Sequence, residues 1–320
     1  MTTNLELSRT GESQPVVRRR TSGLARHLQV WQLYLLIAVP AVLALLFNYI
    51  PILGNIIAFQ DFSYRKGFLG SDFVGMKYFR QFFEMPIFWN ILGNTVKLSL
   101  YQLAAGFPFP ILLALAFNEL SSQRAKKVIQ TVTYAPYFIS TVVMVSIVMQ
   151  VLSFRYGIAN ELVKVVGGSP IDFMGSAALF RSIYVWSGIW QTAGYGAVLY
   201  IAALSSIDPS LYEAATIDGA NRLQRILNID LPGILPTIII TLILSTGSML
   251  NVGFEKVFLL QNPANYDVSE IISTYVYKIG VKQAQFSLST AIGEFNELVN
   301  FFILFTVNRL AKRTGETSLF

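Results

Sequence analysis

The side chains that most often perform chemistry are scarce in this sequence of 320 residues. There is no cysteine, which excludes disulfides, thiolate metal ligands and cysteine nucleophiles. The one histidine, His27, lies in an arginine-rich segment, so a Ser-His-Asp triad and most histidine-based metal sites are excluded. No phosphate-binding G-x-x-x-x-G-K-[ST] loop occurs. The residues therefore indicate a non-catalytic protein without a metal site or a bound cofactor.

The most informative pattern is D-P-S-L-Y-E-A-A-T-I-D-G-A-N-R-L-Q-R-I-L-N-I-D-L-P, residues 208–232. Asp208 can cap a helix whose first residue is Pro209. Gly219 can end that helix, because glycine adopts the left-handed conformation at little cost. A second short helical stretch then continues to Asp230. The pattern predicts a helix–Gly–helix hairpin.

The first helix of this hairpin offers a surface for a partner. Ala214 and Ala215 leave a smooth patch that lets another backbone come close, and Glu213 adds one negative charge for a partner's hydrogen-bond donors. The alternative is a plain interfacial helix that connects two membrane spans, since such helices are common.

Composition places these residues in a membrane protein. Hydrophobic residues make up 53% and charged residues 13%, against roughly 25% charged residues in soluble domains. The mean hydropathy is +0.53. Such a chain lacks the polar surface that a soluble fold needs, and disordered, disulfide-rich and nucleic-acid-binding classes fit poorly. We interpret the net charge of +6 as basic loops beside a lipid bilayer rather than as a nucleic-acid site.

The long apolar runs predict an all-α, polytopic membrane protein with six transmembrane helices. A span needs ~20 mostly apolar residues. The sixth run is the weakest, because it carries Glu294 and Glu297 in its first turns. The predicted spans are about 32–56, 95–118, 130–154, 182–206, 233–255 and 289–310.

Lysine and arginine set the predicted orientation. With the N-terminus inside, the inside segments hold 13 basic residues and the outside segments hold 8. This bias favours an N-in, C-in topology. The predicted organisation is a basic cytoplasmic tail (1–30), one transmembrane domain (31–313) with a cytoplasmic loop (207–232), and a short cytoplasmic tail (314–320).

The spacing in the 207–232 loop resembles a known motif. The pattern E-A-A-x3-G-x9-I-x-L-P is similar to the EAA loop of permease subunits in bacterial ABC importers. It is met by Glu213, Ala214, Ala215, Gly219, Ile229, Leu231 and Pro232. The segment L-Y-E-A-A-T-I-D-G-A, which includes Asp218, resembles the sugar-permease version. Residues 73–83 and 88–95 are similar to the segment before the second span of those permeases, and 48–55 and 60–63 resemble the polysaccharide and oligosaccharide branch.

The resemblance, which covers about residues 30–313, implies a type I ABC importer permease in the bacterial cytoplasmic membrane. In that family the loop forms a coupling helix that docks on the ATP-hydrolysing subunit. The implied partners are a second homologous permease, two ATPase subunits that bind ATP and Mg, and an extracytoplasmic solute-binding protein. The implied function is import of a carbohydrate, an oligo- or polysaccharide, by alternating access.

Sugar permeases of this type imply a ligand pathway within spans three to five. Sugars are held by hydrogen bonds to hydroxyls and by stacking on aromatic rings. The alternative role for each aromatic residue is interfacial anchoring or helix packing. We take Asn251 as the best single candidate, because a buried amide in a span needs partners. The full set of candidates is Tyr137, Thr141, Trp190, Thr192, Tyr195, Ser248 and Asn251.

Six charges lie near the predicted outer ends of the spans. The simplest interpretation is snorkelling to headgroups or mutual ion pairing. The sharper hypothesis is that some basic members face the pathway and attract an acidic saccharide. A charge at mid-bilayer costs ~2.5–3.5 kcal/mol on insertion scales, so each needs a reason. The six are Lys97, Arg181, Glu255, Lys256, Glu294 and Glu297.

Three other functions compete. A same-family permease for another solute, such as glycerol phosphate or a peptide, fits the loop; the D-G-A after E-A-A argues against the peptide branch. A secondary transporter is expected to show internal repeats and mid-membrane ion sites, and we find neither in the sequence. A membrane enzyme lacks the residues for catalysis.

Overall fold

The chain is mostly helical in a computed structural model that describes residues 31–313. The predicted tails, 1–30 with His27 and 314–320, lie outside the described residues. Two short antiparallel strands, β1 (Gln60–Asp61) and β2 (Asp72–Phe73), pair Gln60 with Phe73. The all-α prediction is confirmed.

The described residues fall into two units, which are divided between Gly54 and Asn55. The described part of the first unit is helix α1 (Trp31–Ala44), a π-helical turn (Leu45–Tyr49) and helix α2 (Ile50–Leu53). None of these residues is buried within the chain. Pro40 lies inside α1 and Pro51 in the first turn of α2. An uncharged helix that exposes every face suits lipid or a partner chain.

The second unit carries the remaining helices. A 3-10 turn follows Tyr134, and π-helical turns occupy Ile226–Asp230 and Lys278–Lys282. The α-helices are α3 (Gly67–Gly70), α4 (Lys77–Glu84), α5 (Phe88–Gly106), α6 (Pro108–Asn118), α7 (Gln123–Tyr134), α8 (Thr141–Val151), α9 (Ile158–Val165), α10 (Ala177–Leu204), α11 (Pro209–Ile217), α12 (Arg222–Arg225), α13 (Leu231–Gly247), α14 (Phe254–Leu260), α15 (Tyr266–Ser269), α16 (Ile272–Tyr277) and α17 (Phe286–Arg313).

Four helical segments within residues 31–313 are long and apolar enough to cross a membrane: Trp31–Phe59, Phe88–Asn118, Arg222–Gly247 and Phe286–Arg313. The pair Gln123–Phe138 and Thr141–Val151 makes a fifth span if it is counted as one. Helix α10 occupies the predicted fourth span; its 28 residues reach about 42 Å at 1.5 Å per residue.

Two helices begin before the predicted spans. The helix that contains the second predicted span begins at Phe88, ahead of residue 95, and the helix that contains the sixth begins at Phe286, ahead of residue 289. Buried polar residues near these ends, such as Asn94 and Ser287, bond to other segments, which lets the helices extend beyond their apolar runs. Glu294 and Glu297 therefore lie well inside the sixth helix.

The third predicted span is not one straight helix. Its two halves meet at 103°, with extended backbone at Ile139 and Ser140. Pro136 supplies no N–H to the first half, and Ser140 caps the second through the backbone N–H of Val143. Gln191 Nε2 donates to the carbonyl of Ile139 at 2.9 Å, so the bend does not leave that group unpaired.

The fifth predicted span is also shorter than expected. Helix α13 ends at Gly247, not at residue 255, and Ser248–Gly253 is not regular helix. This segment is called the break below. It is anchored from α17, because Asn300 Oδ1 accepts a hydrogen bond from the backbone N–H of Leu250 at 2.9 Å.

Helix α10 is the centre of the second unit. Its buried residues include Val185, Ile189 and Ala197, which join two apolar clusters. At Gly194 a Cβ atom would lie 2.1 Å from the carbonyl oxygen of Thr133 in α7. Glycine is therefore required there for the two backbones to pack together.

Candidate functional site

The 207–232 loop folds as the predicted hairpin. Asp208 accepts a hydrogen bond from the backbone N–H of Ser210 at 2.9 Å and so caps α11. The same bond lowers the pKa of the Asp208 carboxyl. Gly219 has φ of +73° just after the helix ends. Asn221 and Gln224 then form a reciprocal capping box that starts α12.

The second arm of the hairpin differs from the prediction. It does not stop at Asp230, because α12, the π-helical turn and α13 run on as one helical segment, Arg222–Gly247. Pro232 lies inside this segment and supplies no N–H to it, and the π-helical turn Ile226–Asp230 comes just before this proline. The hairpin is therefore continuous with a membrane span.

The two halves of the motif lie in different surroundings. Glu213, Ala214, Asp218 and Gly219 are exposed, and Ala215 is half-buried. Ile217, on the same helix, is 86% exposed. At the other end Ile229 and Leu231 are half-buried, Pro232 is exposed, and Leu231 packs against the apolar cluster of α6, α10 and α13. One half can meet a partner while the other anchors the loop.

Two polar contacts fix the hairpin to the spans. Tyr212 donates a hydrogen bond to Oδ1 of Asp230 at 2.5 Å, and Asp230 is fully buried. Glu119, just after α6, lies 3.5 Å from the guanidinium of Arg225 and 3.8 Å from that of Arg222. Glu119 was not foreseen as a functional residue, although a lone carboxylate at the end of an apolar run was visible.

A polar cavity of about 510 Å³ lies among α5, α10, α13 and the break. We call it the polar cavity. Hydroxyl and amide groups form part of its lining, which suits a ligand with many hydroxyls, and apolar side chains such as Leu103, Phe107 and Met249 form the rest. Its polar lining comprises Ser99, Gln102, Tyr184, Gln191, Thr192, Tyr200, Thr241, Ser245, Ser248, Asn251 and Lys256.

Only part of the predicted pathway lines the polar cavity. Thr192, Ser248 and Asn251 do. Ser248 and Asn251 belong to the non-helical break and not to helix α13. Asn251 is exposed rather than buried, and its Oδ1 accepts hydrogen bonds from two residues of α17. The donors are Asn296 Nδ2 at 2.8 Å and Asn300 Nδ2 at 3.1 Å.

The predicted aromatic residues lie elsewhere. Tyr137 and Tyr195 stack on each other with ring centroids 3.9 Å apart, outside the polar cavity. Thr141 begins α8 beyond the bend, so it does not share a helix face with Tyr137. Trp190 lines an apolar groove between α8 and α10 together with Trp186. Mutual stacking therefore accounts for the positions of Tyr137 and Tyr195.

The six predicted charges do not pair with one another within the described residues. Lys97, Glu255 and Glu297 are exposed and Glu294 is half-buried. Arg181 donates to Asn94 Oδ1 at 3.0 Å, and Asn94 in turn bonds to the carbonyls of Asp267 and Glu270. These contacts support packing of the outer segment rather than a ligand site.

Lys256 is the exception. It is 8% exposed, and among the residues that line the polar cavity it carries the single charge. Its Nζ donates to the carbonyl of Tyr184 at 2.6 Å and lies 4.5 Å from the centre of the Tyr184 ring. A Cβ atom at Gly188 would lie 3.0 Å from this Nζ, so glycine leaves room for the amine.

Other cavity contacts were missed because they join distant segments. Tyr200 and Thr241, which share a hydrogen bond of 2.8 Å, tie α10 to α13 at the cavity wall. Asn296 and Asn300 are four residues apart in a mostly apolar helix, and this spacing places two amides on one face. Polar pairs of this kind inside a span were the available signal.

The family model that matches this chain describes the inner membrane component of binding-protein-dependent transport systems, and it covers residues 106–315. Among curated relatives, the polygalacturonan/rhamnogalacturonan transport system permease protein YteP of Bacillus subtilis (strain 168) is 43% identical over 94% of each chain. The protein LplB of the same organism is 41% identical over 90% of this chain and 91% of its own.

Solved structures give the same result. A permease chain in a bacterial alginate ABC transporter, crystallised with an alginate pentasaccharide-bound periplasmic protein, is 36% identical. The alignment covers 92% of this chain and 99% of that chain, with a TM-score of 0.84. A second structure of an importer of the acidic polysaccharide alginate gives a TM-score of 0.83.

Proposed function

Because this chain belongs to the family of binding-protein-dependent transport system inner membrane components, and is thus a multi-pass protein of the cytoplasmic membrane, we propose that it is a carbohydrate-import permease for acidic oligo- or polysaccharides. The single observation that carries the substrate class is the polar cavity, lined by hydroxyls, amides and one amine. The name of the relative YteP gives polygalacturonan as a substrate, and the solved transporter imports alginate. Both are polyanions with many hydroxyls, and the lining of the polar cavity matches them chemically.

The exposed hairpin is a suitable docking point for a partner subunit that hydrolyses ATP. The sequence contains no G-x-x-x-x-G-K-[ST] loop for ATP, whereas Glu213, Ala214 and Ile217 are exposed on a short helix fixed at both ends. We propose that ATP and Mg are bound by two partner ATPase subunits and that α11 docks on one of them. Movement of the docked helix then passes to the cavity along the continuous segment Arg222–Gly247.

Two further partners complete the proposed importer. A second permease would cover the apolar surface of this chain, including α1, none of whose residues is buried within the chain. A solute-binding protein would deliver the saccharide, as the periplasmic protein in the alginate transporter carries its pentasaccharide. Transport would then follow alternating access, with ATP and ligand each favouring one of two conformations.

The proposal is tested by purification from native membranes in a gentle detergent. Mass spectrometry should recover a P-loop ATPase and a second permease with this chain. Gly219→Pro, which distorts the hairpin where φ is +73°, should lose the ATPase and keep the second permease. Recovery of this chain alone, in a detergent that keeps known ABC complexes intact, would contradict the proposal and favour a secondary transporter.

Substrate class needs its own measurement. The assembled importer in proteoliposomes should take up oligogalacturonate only with ATP inside and the binding protein outside. Uptake of glycerol phosphate or a peptide in place of any saccharide would overturn the carbohydrate assignment and keep the family.

A further inference from the structure

We propose that the ammonium group of Lys256 is the carboxylate-binding point of the polar cavity and makes the permease prefer acidic over neutral saccharides. This inference rests on the proposed function and assigns one side chain to substrate selection. It starts from a charge that the packing of the described residues does not neutralise.

The amine of Lys256 has no carboxylate partner among residues 31–313. The ion pairs of the described chain involve other residues, and the contacts of Lys256 are the carbonyl of Tyr184 and the face of its ring. An ammonium group has three donors, and the carbonyl uses one of them. Burying an unpaired ammonium charge is costly, and a ligand carboxylate placed beside Nζ would offset that cost.

The surroundings hold the amine in place at the cavity wall. Tyr184 is itself buried, and a Cβ at Gly253 would lie 3.3 Å from its hydroxyl oxygen, so the ring is packed closely against the break. Gly188 leaves open the space beside Nζ. The position of the charge is therefore set before any ligand arrives, which is what a selective site requires.

The neighbouring polar groups match the rest of an acidic sugar. Gln102 in α5, Gln191 and Thr192 in α10, and Ser248 and Asn251 in the break line the same cavity. They offer donors and acceptors to hydroxyls but no second cation. One carboxylate at Lys256 with hydroxyls on the amides is the arrangement that a single uronate unit would satisfy.

The other basic candidates are less suitable. Lys97 is exposed and does not line the polar cavity, and the Arg181 guanidinium is used by Asn94. The structure thus separates three lysine and arginine residues that sequence treats alike. Lys97 becomes the matched control for the loss of a charge.

The test compares trigalacturonate with its fully methyl-esterified form, which keeps the length and hydroxyls but has no charge. Equilibrium binding of both is measured on the solubilised complete importer without its binding protein, and uptake is measured in proteoliposomes with it. Lys256→Gln should lower affinity for the acid about tenfold or more, as expected for losing one charge-assisted hydrogen bond. Affinity for the ester should not change.

Three further variants keep the outcome informative. Lys256→Arg should retain the preference for the acid, whereas Lys97→Gln should behave like the wild type. Gly188→Ala keeps the charge but crowds Nζ. It should lower the affinity for the acid more than the affinity for the ester. The decisive readout is the ratio of the affinity for the acid to the affinity for the ester, because a purely structural role for Lys256 would lower both affinities equally.

Each contrary result has one meaning. If Lys256→Gln lowers the affinity for acid and ester equally, or does not lower the affinity for the acid, the role of Lys256 is overturned. The proposed importer function would still stand. A wild-type complex that neither binds nor takes up either saccharide would overturn the proposed function, and this inference with it.

Discussion

The phenol of Tyr212 donates a 2.5 Å hydrogen bond to Oδ1 of Asp230, which ties the exposed helix α11 to the base of a membrane span. Burial, together with the nearby carboxylate, raises the pKa of Tyr212 to about 12. The folded pKa lies above that of a free phenol, so this contribution to stability is fully present below pH 10. It is lost as the pH rises through about 12.

Tyr212→Phe should lower the free energy of unfolding by about 2 kcal/mol, because it leaves a buried carboxylate without its donor. The measurement is the thermal unfolding midpoint of the purified chain in detergent. Tyr156→Phe is the matched control, since Tyr156 is 84% exposed. Equal midpoints for the two variants would show that the Tyr212–Asp230 bond does not stabilise the hairpin.

The contact between Glu119 and Arg225 should couple measurably in a double-mutant cycle. Glu119→Gln and Arg225→Met together should reveal an interaction of about 1 kcal/mol, because both side chains are largely covered. The same cycle with Arg222 should give a value near zero, since that side chain is 72% exposed and 3.8 Å away. Both coupling energies are obtained from unfolding midpoints. Equal coupling of Glu119 to Arg225 and to Arg222 would contradict the expected difference between the two arginines.

Asn300→Leu should impair transport by releasing the break. The substitution removes the acceptor for the Leu250 N–H and one donor to Asn251, and a buried N–H without a partner costs about 1–3 kcal/mol. Uptake of oligogalacturonate per ATP hydrolysed should fall. Thr306→Val serves as the control, because that hydroxyl bonds to the carbonyl of Phe302 in its own helix. Wild-type uptake in Asn300→Leu would mean that these bonds are dispensable.

Gly194→Ala should destabilise the chain by about 2 kcal/mol or more, because its Cβ would meet the Thr133 carbonyl at 2.1 Å. Gly93→Ala, in α5, should stabilise by about 0.5–1 kcal/mol, since nothing lies within 4 Å of its Cβ position and alanine favours helix. The two unfolding midpoints should move in opposite directions. A rise in both would show that α7 can shift away from α10.

The sequence predicts the hairpin well because its signals are local. Asp208, Pro209 and Gly219 act on the backbone within one or two residues of themselves. The apolar runs likewise predict where helices cross the membrane, since length and hydropathy are summed along the chain.

The breaks and the cavity are harder to predict because their causes are distant. The break at Ser248–Gly253 lies in a charge-free run with no proline between Pro236 and the break, and its bonds come from Asn296 and Asn300, about 50 residues later. The bend after Phe138 has one local signal in the sequence, Pro136. The side chain that donates a hydrogen bond to the carbonyl of Ile139 at the bend is Gln191, 52 residues later. Whether Lys97, Arg181 or Lys256 faces the cavity depends on helix rotation, which composition does not define.

The continuous helical segment Arg222–Gly247 connects the hairpin at one end to the break at the other. Its 26 residues reach about 39 Å at 1.5 Å per residue. A tilt of about 10° around the hairpin end would displace the far end by about 7 Å over that helical length. The far end is Gly247, directly before the residues that form the cavity wall. A small rotation of the hairpin would thus be amplified into a displacement wide enough to open or close the polar cavity.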